Sequence, residues 1–505
     1  MGLGPMHGGL ERSAHELGKR VAVRSPEYSW SFAELDRWAN ALAGHLAGAG
    51  VGPGARVALL MANRVEFVVA VHAVSKLGAA TVLISPAWKT AEVNAALALT
   101  EPVHGLTDTE GLSLLAGPLG RDQVTDVDDP VVATLAAGGP APERRVVAPN
   151  SEAVLVFSSG TTGLPKAVRH THESIGHATA HWVGALGLSA ADRFQIATPP
   201  SHILGLLNLL VAMSAGVTVR LHRRFDLDEV LRCIGADRMT IEMAVAPIAL
   251  AMANHPHLED FDLSSLRYIM WGATPVTEPV ARVVTARTGV RWLPAYGTSE
   301  VPVIAANPVA RPEQWRLDSA GLPPPGVELR VVDIDTDAEL EPGGTGEIQV
   351  RSRSCMAGYL PDSATAESVV DGWYRTGDVG YLEPEGWVHL TDRLKEMIKV
   401  NGFQVAPAEI EAVLIGYPGV LDCAVFGIAD ERAGEVPVAA VHLDPAASVT
   451  AEELQQLVAD TLATYKQLRH VIVVDAVPRL PSGKALRRSL RDQWAPALLG
   501  SPAEA

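Results

Sequence analysis

A short polar segment, residues 158–166, has the sequence SSGTTGLPK and follows the apolar residues 153–157. Glycines let backbone N–H groups approach an anion closely, and hydroxyl groups and an ammonium group add further donors. The segment is therefore a candidate phosphate-binding loop at the end of a buried strand. It does not match the P-loop pattern G-x-x-x-x-G-K-[ST], because Leu164 and Pro165 separate Gly163 from Lys166. A polar surface turn is the alternative for this segment taken by itself.

Three further polar clusters follow predicted strands. They are GATP (272–275) after residues 268–271, YGTSE (296–300) after residues 292–293, and YRTGD (374–378) after residues 372–373. In open α/β sheets, ligands bind beyond the carboxyl ends of the strands. We therefore expect these clusters and the segment 158–166 to face one crevice.

The side chains of these clusters suit a nucleotide that is bound together with a metal ion. Asp378 is able to accept hydrogen bonds from both ribose hydroxyls, and Tyr296 is able to stack on a purine. Glu300 offers the hard oxygen ligand that Mg²⁺ prefers when it is bound with phosphates. Each residue also has a structural alternative: turn former for Asp378, core residue for Tyr296 and helix cap for Glu300. Four such clusters together predict a nucleotide site.

Hydrophobic periodicity predicts the elements that must position these clusters. Ser31 and Glu34 form a capping box ahead of a helix. The order of strand 57–61, helix 66–77 and strand 80–85 predicts a parallel sheet that is covered on both faces. The first two thirds of the chain are therefore predicted to be α/β. Alternating strands after residue 325 predict an antiparallel section, and a compact αβ segment is expected beyond residue 395.

Composition limits the class of protein. The 505 residues are too many for one core, so we expect two to four domains. The formal net charge of −17 argues against a general nucleic-acid-binding surface. The three cysteines lie far apart, which argues against a disulfide framework or a zinc site and favours a reducing compartment. With no signal pattern at the N-terminus, and with the apolar run 203–219 interpreted as a buried helix, we expect a soluble cytoplasmic protein without stable membrane insertion.

The motifs resemble those of the adenylate-forming superfamily, over nearly the whole chain and in the family order. They are SSGTTGLPK (158–166), GATP (272–275), YGTSE (296–300), YRTGD (374–378), DRLKEMIK (392–399), GFQ (402–404) and PSGK (481–484). The stretch DRLKEMIKVNGFQVAPAEIE is similar to the 4-coumarate–CoA ligase branch. The resemblance implies an α/β fold with a large N-terminal AMP-binding and acyl-substrate domain, residues 1–393. It also implies a small mobile α+β catalytic domain, residues 394–505, with a hinge near Lys395.

The resemblance also implies roles for individual residues. Lys484, Glu300, Thr161 and Lys166 are the expected catalytic residues, with Glu300 holding Mg²⁺ and Lys484 reaching the acid carboxylate and the α-phosphate of ATP. The remaining expected nucleotide-binding residues are Ser158, Ser159, Gly160, Thr162, Gly163, Gly272, Ala273, Tyr296, Gly297, Thr298, Asp378 and Arg393. The expected hinge and CoA face consists of Lys395, Lys399, Gly402, Phe403 and Gln404.

The implied activity is that of an ATP-dependent carboxylic acid–CoA ligase that works through an acyl adenylate. Mg²⁺, Lys484 and backbone donors would offset the repulsion between the acid carboxylate and the α-phosphate. One alternative transfers the acyl group to a carrier protein or another nucleophile. A second alternative is a nucleotide-binding protein without turnover, against which the presence of Lys484, Glu300 and Asp378 argues. The oligomeric state is left open.

Three residues depart from the family pattern or bear on the acid that is bound. His202 occupies the position of a family histidine near the acyl site, and it either gates the pocket or satisfies a backbone group. Glu242 stands where this branch usually has an apolar residue, so it either meets a polar group of the acid or has a partner within the fold. Trp271 is large and either shortens the pocket or packs in the core. An aryl or short- to medium-chain acid is expected.

Overall fold

Strands and helices alternate along most of the chain. A computed structural model describes residues 4–25, 27–143, 145–158, 166–274, 276–401, 403–430, 432–480 and 483–499. Six of the predicted site residues lie outside the described residues: Ser159, Gly160, Thr161, Thr162, Gly163 and Gly402. The predictions made for these six residues therefore stay predictions.

Numbered in chain order, the strands within these residues are β1 Val21–Arg24, β2 Ser29–Ser31, β3 Arg56–Leu60, β4 Ala80–Ile84, β5 His104–Thr107, β6 Val124–Asp126, β7 Glu152–Ser158, β8 Lys166–Thr171, β9 Arg193–Ile196, β10 Thr218–Leu221, β11 Ile241–Ala244, β12 Tyr268–Trp271, β13 Trp292–Tyr296, β14 Ala305–Ala306, β15 Val327–Val332, β16 Gly346–Ser352, β17 Gly358–Leu360, β18 Val369–Val370, β19 Trp373–Leu382, β20 Val388–Arg393, β21 Ile398–Val400, β22 Phe403–Val405, β23 Val420–Asp430, β24 Gly434–Leu443 and β25 His470–Val473.

The helices, numbered in the same way, are α1 Gly8–Glu16, α2 Phe32–Gly48, α3 Val65–Lys76, α4 Thr90–Thr100, α5 Leu112–Leu119, α6 Pro130–Ala133, α7 His172–Leu186, α8 Ile203–Ala215, α9 Leu227–Asp237, α10 Ala246–Ala253, α11 Glu278–Thr288, α12 Ser363–Ser368, α13 Pro407–Ile415, α14 Ala451–Thr461 and α15 Arg487–Leu499. The predicted capping box is present at the start of α2, where the Ser31 side chain accepts from the Glu34 backbone N–H.

Two large, mainly parallel sheets form the first part of the chain. The order of one is β14-β13-β12-β11-β9-β10-β1-β2, with only its edge strands β14 and β2 antiparallel to their neighbours. The order of the other is β17-β8-β7-β4-β3-β5-β6, with β8 and β17 antiparallel. The apolar run that begins at Ile203 is the buried helix α8, as predicted. Among the described residues, no helix is long and apolar enough to span a bilayer.

Two smaller sheets follow. The order of the antiparallel one is β15-β16-β19-β18, with β20 paired to β19. The order of the C-terminal one is β22-β21-β24-β23, with β25 paired to β24. The predicted fold class, α/β with an antiparallel section and a small C-terminal α+β unit, is therefore confirmed. Lys395 lies in the link between β20 and β21, and the domain boundary at 393/394 stays a prediction.

The position of YRTGD (374–378) differs from the expected loop beyond a strand end. The segment lies inside β19, between β16 and β20 of the antiparallel sheet. A bulge explains the difference, because Gln349 pairs with Arg375 while Glu347 pairs with Val379, which leaves extra residues on β19. Gly377 has a φ of +68° within this bulge, a conformation that favours glycine. The bulge interrupts the regular pairing of this part of the strand. The alternation of polar and apolar residues in the sequence does not reveal such an interruption.

A cluster of buried histidines, His7, His72 and His172, joins the N-terminal segment to α3 and α7. The His7 Nδ1 atom lies 2.9 Å from Ser75 Oγ, and the Met6 N–H donates to His172 Nδ1 at 3.1 Å. Lys76, which pairs with Glu11 and Asp36, is the charged residue beside this cluster. Burial lowers the pKa of His7 to about 3 and the pKa values of His72 and His172 to about 4. The three side chains are therefore neutral at pH 7.

We predict that this histidine cluster makes the protein sensitive to acid. The pKa of each histidine is lowered in the folded state, whereas it is about 6.5 in an unfolded chain, so unfolding takes up protons below that pH. Stability is retained above pH ~6.5 and falls toward pH ~4, by up to about 1.4 kcal/mol per pH unit for each histidine. Urea-unfolding midpoints measured as a function of pH test this expectation.

The matched variants are His72→Gln, within the cluster, and His257→Gln, whose side chain is largely exposed. The first substitution should flatten the pH dependence of the midpoint, and the second should leave the slope as in the wild type. Equal slopes in all three proteins would contradict the assignment.

Candidate active site

A cleft of about 470 Å³ lies between the large N-terminal part and the C-terminal unit. It opens beyond the carboxyl ends of β12 and β13, where ligands of open α/β sheets are expected. The lining includes predicted residues from both parts of the chain: Trp271, Ala273, Tyr296, Gly297, Asp378, Arg393 and Lys484. The structure therefore brings five of the predicted nucleotide-binding residues into one cavity with the distant Lys484, whereas Gly272, Thr298 and Glu300 are not part of its lining.

Asp378 organises the side of the cleft that belongs to the large part. The Tyr296 hydroxyl donates to Asp378 Oδ2 at 2.5 Å, and Arg393 Nε lies 2.9 Å from Asp378 Oδ1. Burial, followed by the nearby Asp378 charge, raises the pKa of Tyr296 well above its ordinary value. The same carboxylate is the largest cause of the raised pKa of Arg393. The two contacts fix the orientation of a carboxylate that is able to accept further hydrogen bonds.

The neighbouring loop holds Glu300 in a buried position. The Tyr359 hydroxyl donates to Glu300 Oε1 at 2.7 Å, and His170 Nε2 contacts the Ser299 carbonyl oxygen at 2.8 Å. Burial and the Glu300 charge raise the pKa of Tyr359, which keeps its hydroxyl a donor. Lys166 Nζ lies 5.5 Å from the centre of the Tyr359 ring. Glu300 and Lys166 therefore approach the same tyrosine from two segments of the chain.

The backbone supports the other predicted nucleotide-binding positions. Ala273 is a non-glycine residue with a φ of +68°, directly after the predicted position Gly272. A Cβ atom at Gly297 would lie 2.1 Å from the Pro302 carbonyl oxygen, so this turn requires glycine. Thr298 Oγ1 accepts from the Val301 backbone N–H at 3.0 Å. Ser158 is the cross-strand partner of Lys166, at the two ends of the predicted phosphate loop.

The residues present fit a magnesium ion that is held mostly by its substrate. Mg²⁺ is commonly bound by one or two carboxylates together with substrate phosphates and water. Glu300 supplies one buried carboxylate, and the described part of the chain contains no group of three or more acidic, histidine or cysteine side chains that could hold a metal ion. The donor set therefore suits a metal that arrives with phosphate groups and does not suit a cage made by the protein alone.

Lys484 stands on a turn that several ion pairs hold in place. Its Nζ atom lies 2.7 Å from Glu396 Oε1, and the other oxygen of Glu396 contacts Arg487. Arg487 in turn forms a two-pronged contact with Glu411 at 2.8 and 2.9 Å. The four side chains form an alternating series of positive and negative charges at the cleft wall. Glu396 lies in the quoted motif DRLKEMIK, but sequence reasoning assigned no role to it or to Arg487.

A second ion pair supports the turn that carries Lys484. Arg479 pairs with Asp422 at 2.7 and 3.0 Å, and its Nη1 atom donates to the Gly483 carbonyl oxygen at 2.9 Å. Gly483 has a φ of +87°, and a Cβ atom there would lie 2.6 Å from the Pro247 ring of α10. Glycine is therefore required where the turn that carries Lys484 meets the large part of the chain.

The three predicted acyl-pocket residues have different surroundings. Trp271 lines the cleft, and its ring centre lies 5.0 Å from that of Trp292. His202 directly precedes α8 and is not part of the described lining, and burial lowers its pKa. Glu242 is also not part of that lining. Only Trp271 is therefore placed beside the nucleotide residues, and the acyl-pocket roles of His202 and Glu242 stay predictions.

Glu242 has a partner within the fold. Gln195 Nε2 donates to Glu242 Oε2 at 2.7 Å, and Gln195 Oε1 lies 2.7 Å from His222 Nε2. Burial raises the pKa of Glu242 to about 8. The carboxyl group is therefore mostly protonated at pH 7, which avoids a buried negative charge.

Three residues of the predicted hinge and CoA face, Lys399, Phe403 and Gln404, lie on strands β21 and β22. Lys399 and Gln404 are cross-strand partners there. Phe403 is 54% exposed and stacks on Tyr465, with the ring centres 4.5 Å apart. These residues do not line the cleft that holds Lys484. The hairpin is thus a separate polar and aromatic surface of the C-terminal unit.

Comparisons with known proteins agree with this arrangement. The model of the AMP-binding enzyme family matches residues 10–360, and that of the AMP-binding enzyme C-terminal domain matches residues 409–484. 4-Coumarate–CoA ligase 5 of Oryza sativa subsp. japonica is 35% identical over 487 residues, which cover 92% of this chain and 89% of the relative.

Two solved structures are similar over almost their whole length. One is o-succinylbenzoate CoA synthetase from Bacillus subtilis in complex with its acyl-adenylate intermediate. It is 31% identical with a TM-score of 0.84 and covers 97% of this chain and 98% of its own. The other is an amide bond synthetase from Marinactinospora thermotolerans, 32% identical with a TM-score of 0.87, covering 97% of this chain and 100% of its own.

The fold and the two-part cleft define an adenylate-forming enzyme. The chain belongs to the AMP-binding enzyme family, which matches most of its length in two parts. The predicted class within that family, an AMP-forming acid–CoA ligase that works through an acyl adenylate, is confirmed by the relatives. ATP and CoA are substrates of that class. The roles of individual residues stay predictions.

We predict that Glu242→Gln removes a pH dependence of stability. In the wild type the folded pKa is raised, so the stabilising contribution is present below the unfolded pKa of about 4.3 and is lost as pH rises through about 8. Glutamine has the same shape and does not titrate. The variant should therefore gain roughly 1 kcal/mol per pH unit relative to the wild type between these values.

The measurement is the free energy of unfolding of both proteins at several pH values. Glu385→Gln, at an exposed position, serves as the control and should follow the wild type. A difference between Glu242→Gln and the wild type that does not change with pH would refute the prediction.

Proposed function

We propose that the protein activates a small carboxylic acid with ATP and transfers the acyl group to coenzyme A. One observation carries the proposal: Lys484 shares a single cleft with Tyr296, Asp378 and Arg393. An ammonium group beside a polar nucleotide site is what the joining of two anions requires, because carboxylate and α-phosphate repel each other. The acid–CoA ligase relatives support the same reaction.

In the proposed first step, the acid carboxylate attacks the α-phosphate and diphosphate leaves. Asp378 accepts hydrogen bonds from the ribose hydroxyls, and Tyr296 borders the adenine. Lys484 offsets the negative charge that develops between the reacting groups. Magnesium, held by Glu300 and the ATP phosphates, would supply further charge neutralisation to the phosphates. Glu396 acts as a positioning residue, since its carboxylate holds the Lys484 ammonium at the cleft wall. The product is a mixed anhydride of the acid with AMP.

In the proposed second step, the thiol of CoA attacks the acyl carbon and AMP leaves. The C-terminal domain, residues 394–505, is proposed to rotate about Lys395 and to bring Lys399, Gly402, Phe403 and Gln404 to the cleft. The exposure of Phe403 supports this proposal, because about half of its side-chain surface is open to a ligand although the ring also stacks on Tyr465. The lack of a disulfide framework in the sequence supports a cytoplasmic location.

The acid is proposed to be aryl or short to medium in chain length. Trp271 lines the cleft and is backed by the buried ring of Trp292, and a large ring at the cleft wall favours a flat acid and limits its length. A panel of acids scored by AMP formation tests this proposal. Running the panel with Glu242→Ala as well tests the pocket role of that residue. If Glu242→Ala prefers the same acids in the same order as the wild type, Glu242 has no role in the acyl pocket.

A second candidate replaces CoA by an amine. The similarity to an amide bond synthetase favours it, because that enzyme resembles this chain about as closely as the CoA synthetases do. The two candidates share the first step and differ in the acceptor. Incubating enzyme, ATP and an accepted acid with either CoA or a primary amine, and measuring thioester and amide by mass spectrometry, separates them.

We predict that Lys484→Ala lowers the rate of adenylation by about 10²–10³-fold, similar to the loss of one charge-stabilising donor in other enzymes. ATP–diphosphate exchange in the presence of an accepted acid measures this rate. Exchange by the wild type that persists at full rate in Lys484→Ala would exclude the proposed role. Absence of diphosphate release with any acid in a broad panel would exclude the proposed function itself.

We predict that Glu396→Gln lowers the rate constant of adenylation about tenfold and leaves the KM for ATP nearly unchanged. The Lys484 ammonium then loses a charged hydrogen bond, which corresponds to roughly 1.4 kcal/mol of transition-state free energy. Thioester formation from a pre-made acyl adenylate should keep its wild-type rate, because Lys484 is not proposed to act in that step.

Glu396→Asp should restore part of the adenylation rate by returning the negative charge. Glu452→Gln, on the exposed first turn of α14, is the control for a change of charge in the same domain. An equal loss in both half-reactions of Glu396→Gln would show that the residue supports the fold and does not position Lys484.

A further inference from the structure

A second cavity, of about 250 Å³, lies beside strands β1, β9 and β10 of the eight-stranded sheet. Its strand residues are the first of β9, the first three of β10, and the first and last of β1 with the residue before it, whereas the active-site cleft lies beyond the ends of β12 and β13. These strands run parallel to one another. The end of the sheet at which β9 begins is therefore opposite to the end at which β12 and β13 finish. The cavity is therefore separate from the cleft, and the two share no lining residue.

Arginine dominates the lining of this second cavity, which we call the arginine pocket. The lining contains four arginines, Arg20, Arg24, Arg193 and Arg220, and one acidic residue, Asp237. Three positive charges are thus in excess within the pocket, in a chain whose formal net charge is −17. Such a concentration of charge attracts anions to this place and opposes the general field of the protein.

Asp237 engages part of this positive charge. Arg24 Nη1 lies 2.8 Å from Asp237 Oδ1, and Arg220 contacts the other oxygen. Arg193 contacts only the backbone, since its Nη1 atom donates to the Asp237 carbonyl oxygen at 3.0 Å. Both oxygens of the carboxylate are therefore occupied by Arg24 and Arg220, and Arg193 has no acidic partner among the described side chains.

Arg20 is the arginine of this pocket with a buried donor that the described residues leave unpaired. Its Nε atom is buried and has no hydrogen-bond partner within the described residues, and no ion pair to Arg20 is found there. A guanidinium group offers five donors in a fixed planar fork. A buried donor without an acceptor is unfavourable, so an oxygen ligand entering the pocket would remove a cost that the protein otherwise bears.

We propose that the arginine pocket binds a compact phosphate-type anion, such as inorganic phosphate or diphosphate. Arginine forks match phosphate oxygens in pairs, and this geometry makes arginine a preferred residue for phosphate recognition. Arg20 and Arg193 supply the unused donors, while Asp237 keeps Arg24 and Arg220 oriented. The alternative, in which the four arginines only neutralise Asp237 and the carboxyl end of α9, predicts no binding.

The test is calorimetric titration of inorganic phosphate, and separately of diphosphate, into the full-length protein. The double variant Arg20→Gln/Arg193→Gln removes the two guanidinium groups that do not contact the Asp237 carboxylate. We expect at least about tenfold weaker phosphate binding in this variant than in the wild type. In the wild type the affinity should fall as the concentration of sodium chloride rises, because the contacts are ionic.

The matched control is Arg282→Gln/Arg488→Gln, which removes the same charge from two exposed helix surfaces. Phosphate should bind this control as it binds the wild type and should raise the melting temperature of both. The pocket variant should remain folded by circular dichroism and show no such rise. If diphosphate still binds the pocket variant, that binding is assigned to the active-site cleft. The separate titration with inorganic phosphate then measures binding to the arginine pocket.

Two results would overturn the proposal: no saturable phosphate binding by the wild type, or equal binding by the wild type and the pocket variant. Neither measurement requires turnover. The arginine pocket can therefore fail while the proposed enzyme activity stands, and the activity can fail while the pocket stands.

Discussion

An alternating series of charges holds Lys484 at the wall of the cleft. The ammonium group faces Glu396, Glu396 also contacts Arg487, and Arg487 contacts Glu411. A half-buried charge is tolerated when a partner of opposite sign is in place, and here each member of the series has one. All four residues belong to the C-terminal unit, so these contacts around Lys484 involve no side chain of the large part of the chain.

The large part of the chain contributes the complementary half of the cleft. Asp378 is fixed there by Tyr296 and Arg393, and the bulge in β19 turns it toward the cavity. One half thus presents the carboxylate of Asp378 and the ring of Tyr296 to the cleft, and the other half presents the ammonium group of Lys484. Because the halves come from segments about a hundred residues apart, the complete site exists only where the two units are apposed.

Local patterns in the sequence were sufficient for most elements, whereas tertiary contacts were not readable. The capping box at Ser31 and the strand at Tyr268–Trp271 depend on neighbouring residues, and both were predicted correctly. The motif ending in Asp378 was misplaced because a bulge depends on the pairing of β16 with β19. Glu396 and Arg487 were missed because their role depends on an encounter between distant segments, and the partner of Glu242, Gln195, lies on another strand.

The contact of Gly483 with Pro247 has a consequence for how the two units separate. Neither the missing side chain of glycine nor the proline ring forms a directional bond, so their parting leaves no donor or acceptor stranded in the interior. The contact between Gly483 and Pro247 depends on complementary shape alone, and water can take the place of either residue at this contact. A junction of this kind tolerates separation of the two units without the loss of a hydrogen bond at this point.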